Sequence, residues 1–228
     1  LKPNGGALKS VIEKYLKSQR INDLQSKLNE LDQTSLSFDF FKVLMQYKKA
    51  ILDNDPYTKT SCLKWLSGEY SARTDSTREL GVRTIINDKN YYDALKVLTN
   101  VLVLAGYSGL IIHIDEMVNL LRISHTPSRK QNMEQILRIY NDVMQSNQEN
   151  LGVYLSGTPE FLTNERIGLY SYDALKGRLQ ENTFLTGDAF DPDHPVIRIN
   201  PLDSNQIYQL IERVGMIYEL DAVSYTHL

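Results

Sequence analysis

The residues best placed to do chemistry are Asp115 and Glu116, adjacent carboxylates that follow the run "GLIIHI" and precede Met117. A carboxylate at the end of a buried strand is a hard oxygen ligand for Mg²⁺, directly or through water, and a second beside it can orient and polarise an attacking water. That combination suits cleavage of a nucleotide phosphate. A second apolar run, Leu151 to Leu155, ends in "SGTPE", where the Thr158 hydroxyl could sense a terminal phosphate from a neighbouring strand end. Plainer readings stand beside both. An apolar run followed by "DE" also arises where a strand leaves a core for solvent, and a threonine before Pro159 also reads as a turn hydroxyl. The sequence holds no G-x-x-x-x-G-K-[ST]. "NGGALKS", residues 4–10, has glycines and a Lys-Ser at the wrong spacing and reads as a turn before a helix, so nothing here wraps phosphates with backbone N–H groups.

The elements that must position these residues follow from periodicity. Leu8, Val11, Ile12, Tyr15 and Leu16 repeat at helical spacing within residues 7–31, whose second half is the polar "SQRINDLQSKLNELD". A second helix is expected from Phe38 to Leu52, with Phe38, Phe41, Leu44, Met45, Lys48, Ile51 and Leu52 as its stripe, closed by "DNDP". "CLKWLSGEYSARTDSTRELGV" suggests short helical pieces around Gly68 and Gly81. Tyr91 to Ala105 predicts a helix ended by Gly106. The uninterrupted run Leu110 to Ile114 predicts a strand covered by helices on both faces. Pro127 to Gln145 predicts a helix with Met133, Ile136, Leu137, Tyr140 and Met144 on one face. A strand at Leu151–Leu155, a helix at Tyr170–Leu179, a third strand at Val196–Ile199 and a last helix capped by Asp203 complete the pattern. In that last helix Ile207, Leu210, Ile211 and Val214 are expected to face inward. Alternation of helix and strand from residue 91 onward implies a layered α/β fold with parallel strands behind a largely helical front. In such a sheet, ligands bind beyond the carboxyl ends of the strands, where Asp115, Glu116 and "SGTP" fall.

Bulk composition narrows the class. The 228 residues are 42% hydrophobic and 23% charged, with a formal net charge of −3, so no global basic field advertises nucleic acid. A single cysteine, Cys62, excludes an intramolecular disulfide and a cysteine-rich zinc cage and fits a reducing compartment, which with the absence of a signal-like opening points to the cytoplasm. The most apolar stretch, "LTNVLVLAGYSGLIIHIDE", is broken by Gly106 and Gly109 and carries His113, Asp115 and Glu116, so no membrane span or membrane partner is expected. The final "VSYTHL", residues 223–228, looks like a translated sequencing adapter and is set aside from the fold.

"AGYSGLIIHIDEMVNL", "SRKQNMEQILRIYNDVMQ", "NLGVYLSGTPEFL" and "RIGLYSYDALKGRL" resemble the ATP-binding P-loop proteins of BREX-type phage-defence systems (BrxD-like), from about Gly5 to Val214. These look like AAA+ ATPases, and the resemblance implies a three-layer P-loop fold with a parallel sheet, residues 1–200, containing a helical insertion at about 53–88, with the start of a helical lid at 201–222. It implies that this chain is an internal fragment whose phosphate loop and first strands would precede Leu1, inactive alone but part of an ATPase. It assigns Asp115 and Glu116 to the second ATPase motif, binding Mg²⁺ and positioning water, with ATP as the nucleotide, and places Thr158 at the sensor position after the fourth strand. Arg178 resembles an arginine finger that reaches a neighbour's nucleotide, with Arg166 a second candidate beside which Ile167 stands where relatives carry another arginine. A homo-oligomer, other defence-system proteins and DNA are the partners this implies. A scaffold of ATPase-derived fold without turnover is the alternative.

Other residues have structural readings. His113 reads as a hydrogen-bonded core histidine rather than a ligand. His125, with Arg122, Arg129 and Lys130, forms a small basic cluster that reads first as a solvated loop and second as a contact for DNA or a partner. His194 reads as turn chemistry, and no zinc site is expected. Trp65, Tyr70, Tyr91 and Tyr92 read as packing aromatics, and Tyr170 and Tyr172 as core or subunit-contact residues.

Overall fold

A computed structural model describes residues 6–18, 34–145, 148–180 and 194–225. The polar second half of the first expected helix and residues 226–228 lie outside them. Two compact units are present, Leu1–Tyr172 and Asp173–Leu228.

The first unit opens with α1 (Gly6–Ser18), α2 (Ser35–Leu52), α3 (Pro56–Leu66), α4 (Arg73–Leu80) and α5 (Tyr91–Leu104). Local chemistry sets their ends. The Thr34 hydroxyl accepts from Ser37 N–H at the start of α2, and the Asp55 carboxylate accepts from Tyr57 and Thr58 N–H ahead of Pro56, whose ring suits a first helical turn. Gly81 closes α4 in the left-handed conformation, at φ 63°.

The core is gathered by these helices. Tyr15, Leu16, Phe40, Val43, Leu44, Tyr47, Cys62, Trp65, Leu80, Val82 and Val101 are all buried in it. Trp65 meets Phe40 edge-on at 5.7 Å and donates its indole N–H to the Thr84 carbonyl at 2.8 Å, so its one polar atom is satisfied. Buried Asp39 accepts from the N–H groups of Arg83 and Thr84 and from the Thr84 hydroxyl, which pins the extended segment after α4 onto α2.

The expected stripe of α2 holds in part: Leu44 and Lys48 are buried and Phe41, Met45 and Ile51 pack against the core. Leu36, Phe40, Val43, Leu44 and Tyr47 face the core, while Phe38 and Leu52 are exposed. The core-facing arc is centred on Phe40, Val43, Leu44 and Tyr47, which leaves Phe38 and Leu52 beyond its edges. Among the aromatics expected to pack, Trp65, Tyr70 and Tyr92 are buried and Tyr91 lies at the surface.

After α5 the chain reaches β1 (Leu110–Ile114), a 3₁₀ segment (Met117–Arg122), α6 (Thr126–Met144), β2 (Leu151–Leu155), α7 (Pro159–Thr163) and a short 3₁₀ turn (Leu169–Ser171). β1 and β2 pair in parallel from Leu110 opposite Leu151 to Ile114 opposite Leu155. Gly109 makes the approach possible. Its φ is 155°, and a Cβ there would lie 2.2 Å from the Asn150 carbonyl oxygen, against which the ladder opens through Leu110 N–H.

Alternation puts Leu110, Ile112 and Ile114 on one face of this pair and Ile111 and His113 on the other. Ile111 is 72% exposed and Tyr154, on the same face, 56%, so β1 is not covered on both sides as its unbroken apolar run suggested. A run of this kind reports apolarity and not which face has a neighbour. The architecture is mostly helical with a small parallel sheet, two-stranded among the described residues, as in a partial α/β fold.

The second unit contains α8 (Asp173–Leu179) and α9 (Ser204–Tyr225). Tyr170 falls in the preceding 3₁₀ turn, so the expected single helix over Tyr170–Leu179 is two pieces. Val196–Ile199 is not a strand: among the described residues no ladder engages it, and Ile199 is 92% exposed. Strand-forming side chains do not make a strand without a partner for their backbone groups. Asp203 caps α9 as expected, its carboxylate accepting from Gln206 N–H while the Gln206 amide oxygen accepts from Asp203 N–H. Ile207, Leu210, Ile211 and Val214 are exposed rather than inward-facing.

Candidate functional site

The ladder continues past the formal strand ends. Ser156 N–H donates to the Ile114 carbonyl and Met117 N–H to the Ser156 carbonyl, both at 3.0 Å, which sets Asp115 alongside Ser156. The Ser156 hydroxyl donates to Asp115 Oδ1, and His113 Nε2 stands 3.0 Å from the same hydroxyl oxygen. Because the serine proton is spent on the carboxylate, the imidazole serves as donor, with its proton on Nε2. Glu116 N–H also donates to Asp115 Oδ1, at 2.7 Å.

Two donors therefore hold one oxygen of Asp115. The Ser156 hydroxyl first, and then the Glu116 amide, keep its carboxyl below the ordinary carboxylate range. The group is exposed and anionic at neutral pH, and Oδ2 carries no hydrogen bond from the described residues. A fixed carboxylate with one oxygen left over is a suitable ligand for a hard cation.

Glu116 adopts φ 55°, ψ 39°, the left-handed region. Among the described residues the other non-glycine positions at positive φ are Asn54 and Asn150, whose side chains tolerate it, whereas glutamate does so at a cost of about 1–2 kcal/mol. The turn throws the Glu116 side chain out of the strand path at the start of the 3₁₀ segment, where Oε2 accepts from Asn119 Nδ2 at 3.3 Å.

Gly157 lies against Met117: a Cβ built on the glycine would be 3.5 Å from Met117 Cβ. The "SGTP" turn thus runs beside the acidic one. Thr158 follows as the N-cap residue of α7, exposed, with no cap bond from its hydroxyl, which differs from the turn-hydroxyl reading. Arg178 lies in the other compact unit, in α8, with Nη1 donating to the Ala174 carbonyl at 2.8 Å. Arg166 is in the first unit, exposed, in the turn after α7.

Sequence reasoning placed His113 in the core; it is instead exposed at the site and hydrogen-bonded to Ser156. The role of Ser156 was not foreseen. The signal that could have found it is the register: once Ile114 stands opposite Leu155, Asp115 must stand beside Ser156. His125 caps α6, its Nδ1 accepting from Ser128 N–H, and His194 closes a local turn with Val196 N–H at 3.0 Å. No group of three or more potential metal ligands is present among the described residues.

In α/β sheets ligands bind beyond the carboxyl ends of the strands, which is where Asp115, Glu116 and Ser156 stand. The chain belongs to the family described as BREX system ATP-binding protein BrxC/D, whose family model matches residues 13–227, and so to an ATP-binding family of phage defence. No curated protein matches it, and no solved structure does. Among the described residues no helix is long and apolar enough to cross a membrane.

Proposed function

We propose that the protein binds ATP with Mg²⁺ and hydrolyses the β–γ bond at the strand end that carries Asp115 and Glu116, within an AAA+-type P-loop fold. The observation that carries this reading is the paired treatment of the two acids. Asp115 is held anionic by Ser156 with an oxygen to spare, and Glu116 is turned aside in a strained conformation that a plain strand exit does not need.

The donor set fits magnesium. That ion keeps several waters and is typically held by one or two carboxylates plus substrate phosphates, and no larger protein cage stands at the site among the described residues. When bound it would neutralise charge growing on the transferred phosphoryl group. Asp115 Oδ2 would be the protein ligand, oriented by Ser156 and, through it, by His113. Glu116 would accept a proton from the attacking water as the bond from the γ-phosphorus to the bridging oxygen breaks. Thr158 would donate to the terminal phosphate from the adjacent turn. Arg178 would act across a subunit boundary in an oligomer, neutralising the same charge. The phosphate-wrapping loop, which these 228 residues do not contain, would come from sequence outside them.

Asp115→Asn tests the metal role. It preserves shape and removes the charge, and in the full-length protein it should abolish the Mg²⁺ dependence of nucleotide binding, measured with a fluorescent ATP analogue in Mg²⁺ and in EDTA. An unchanged response to Mg²⁺ would remove Asp115 from the site.

A further inference from the structure

A cleft whose lining includes neither Asp115 nor Glu116 opens at the start of α6. It encloses about 520 Å³ and is lined by Thr126, Arg129, Asn164, Arg166 and Ile167. Its two arginines come from different elements and are positioned by different means. Arg129 is half-buried, and its Nη1 donates to the Ile123 carbonyl at 2.7 Å, which fixes the guanidinium while leaving its other donors uncommitted. Arg166 is exposed on a turn locked by the Asn164 side chain, which accepts from the N–H groups of Arg166 and Ile167 at 2.9 and 3.1 Å.

Neither arginine has a carboxylate partner among the described residues. Arg138, further along the same helix, shows the contrast, since it sits 2.6 Å from Asp93. Of the nearby acids, Glu160 is engaged by Asn164 Nδ2, and Glu165, beside Arg166, has an interaction of its own. On the Arg129 side of the cleft, residues 117–133 contain Arg122, Arg129 and Lys130 and no acid; on the Arg166 side, Glu160 and Glu165 stand in the sequence beside Asn164 and Arg166. Arg122 immediately precedes Ile123, whose carbonyl holds the Arg129 guanidinium, and both Arg122 and Lys130 are exposed. Two guanidinium groups lining one cleft, neither with a carboxylate partner among the described residues, match an oxygen-rich anion, and further cations outside it match an anion that continues beyond the cleft.

We propose that this cleft binds the phosphodiester backbone of a nucleic acid, with Arg129 and Arg166 clamping one phosphate and Arg122 and Lys130 flanking its path. Contacts of this kind are independent of sequence and depend on salt. The proposal does not depend on ATP hydrolysis at Asp115 and Glu116.

The test is fluorescence anisotropy of the full-length protein with a labelled duplex oligonucleotide across a salt series. Arg129→Gln and Arg166→Gln should each weaken binding for unrelated sequences alike and lower the slope of log affinity against log salt by about 1. Arg138→Gln, which removes a charge from the same helix but not from the cleft, should leave the slope unchanged and so controls for loss of folding. Arg129→Lys should restore part of the slope without the fork geometry. Binding of the ATP analogue by Arg129→Gln is followed in parallel and should match the parent. Absence of DNA binding, a slope indifferent to both arginines, or loss of nucleotide binding in place of DNA binding would each overturn the proposal, the last by showing that the cleft takes a free nucleotide.

Discussion

Glu116 carries the sharpest tension between local preference and observed conformation. Glutamate gains nothing from the left-handed region, yet the chain places it there at the point where a strand becomes a 3₁₀ turn. If the strain serves positioning, a glycine should relieve it: Glu116→Gly should raise stability by about 1 kcal/mol, read from urea midpoints, while removing the carboxylate. A loss of stability would mean that the Asn119 contact matters more than the backbone strain. Asp115 is the opposite case, a residue whose surroundings reinforce its ordinary chemistry. "HIDE" read correctly as a place where acids leave a strand, but the Ser156 and His113 contacts depend on register, which the sequence does not display.

Elements were legible in proportion to how local their determinants are. The helix ending at Leu52, the stop of α5 at Leu104 ahead of Gly106, the cap at Asp203 and both paired strands follow from spacing, capping and apolar runs. What failed was always a question of neighbours. Spacing located most of the α2 stripe, but not that Phe40 would be buried and Phe38 exposed, because the centre of the buried arc is set by the packed helices. Val196–Ile199 has strand-like side chains and no ladder, and α9 has an apolar face left in solvent. The α1–α2 contact has a pH consequence. Tyr47 donates to Glu13 at 2.6 Å, and this bond, followed by the ion pair with Lys59, holds the Glu13 carboxyl below its usual range. A depressed carboxylate contributes stability above its unfolded pKa, about 4.3, and loses it as pH falls through the folded value. Glu13→Gln should therefore lower stability at pH 7 and flatten its decline on acidification, in denaturant titrations at a series of pH values. A decline as steep as the parent's would place the acid-sensitive group elsewhere.

At the scale of the whole molecule, the helices carry the core and the small sheet presents the two adjacent acids. Cys62 reports on that core. It is fully buried, and burial pushes its thiol up to about 12, so at neutral pH it is neither accessible nor ionised. Labelling by a thiol reagent should track global unfolding, matching the red shift of the single tryptophan, Trp65. Rapid labelling of the native protein would mean that the helices part locally. Membership of an ATP-binding family follows from most of the chain, residues 13–227, whereas turnover rests on two side chains.

Those two side chains point to the most direct measurement: ATP hydrolysis and ATP binding by the full-length protein, parent against Glu116→Gln, with DNA and partner proteins supplied. The substitution keeps the size of the side chain and removes its ability to accept a proton. The account predicts that hydrolysis falls by at least about a hundredfold while nucleotide binding is retained. Equal hydrolysis by parent and variant, or no hydrolysis by either, would contradict it and leave a nucleotide-binding scaffold in which Asp115 and Glu116 merely mark where a strand ends.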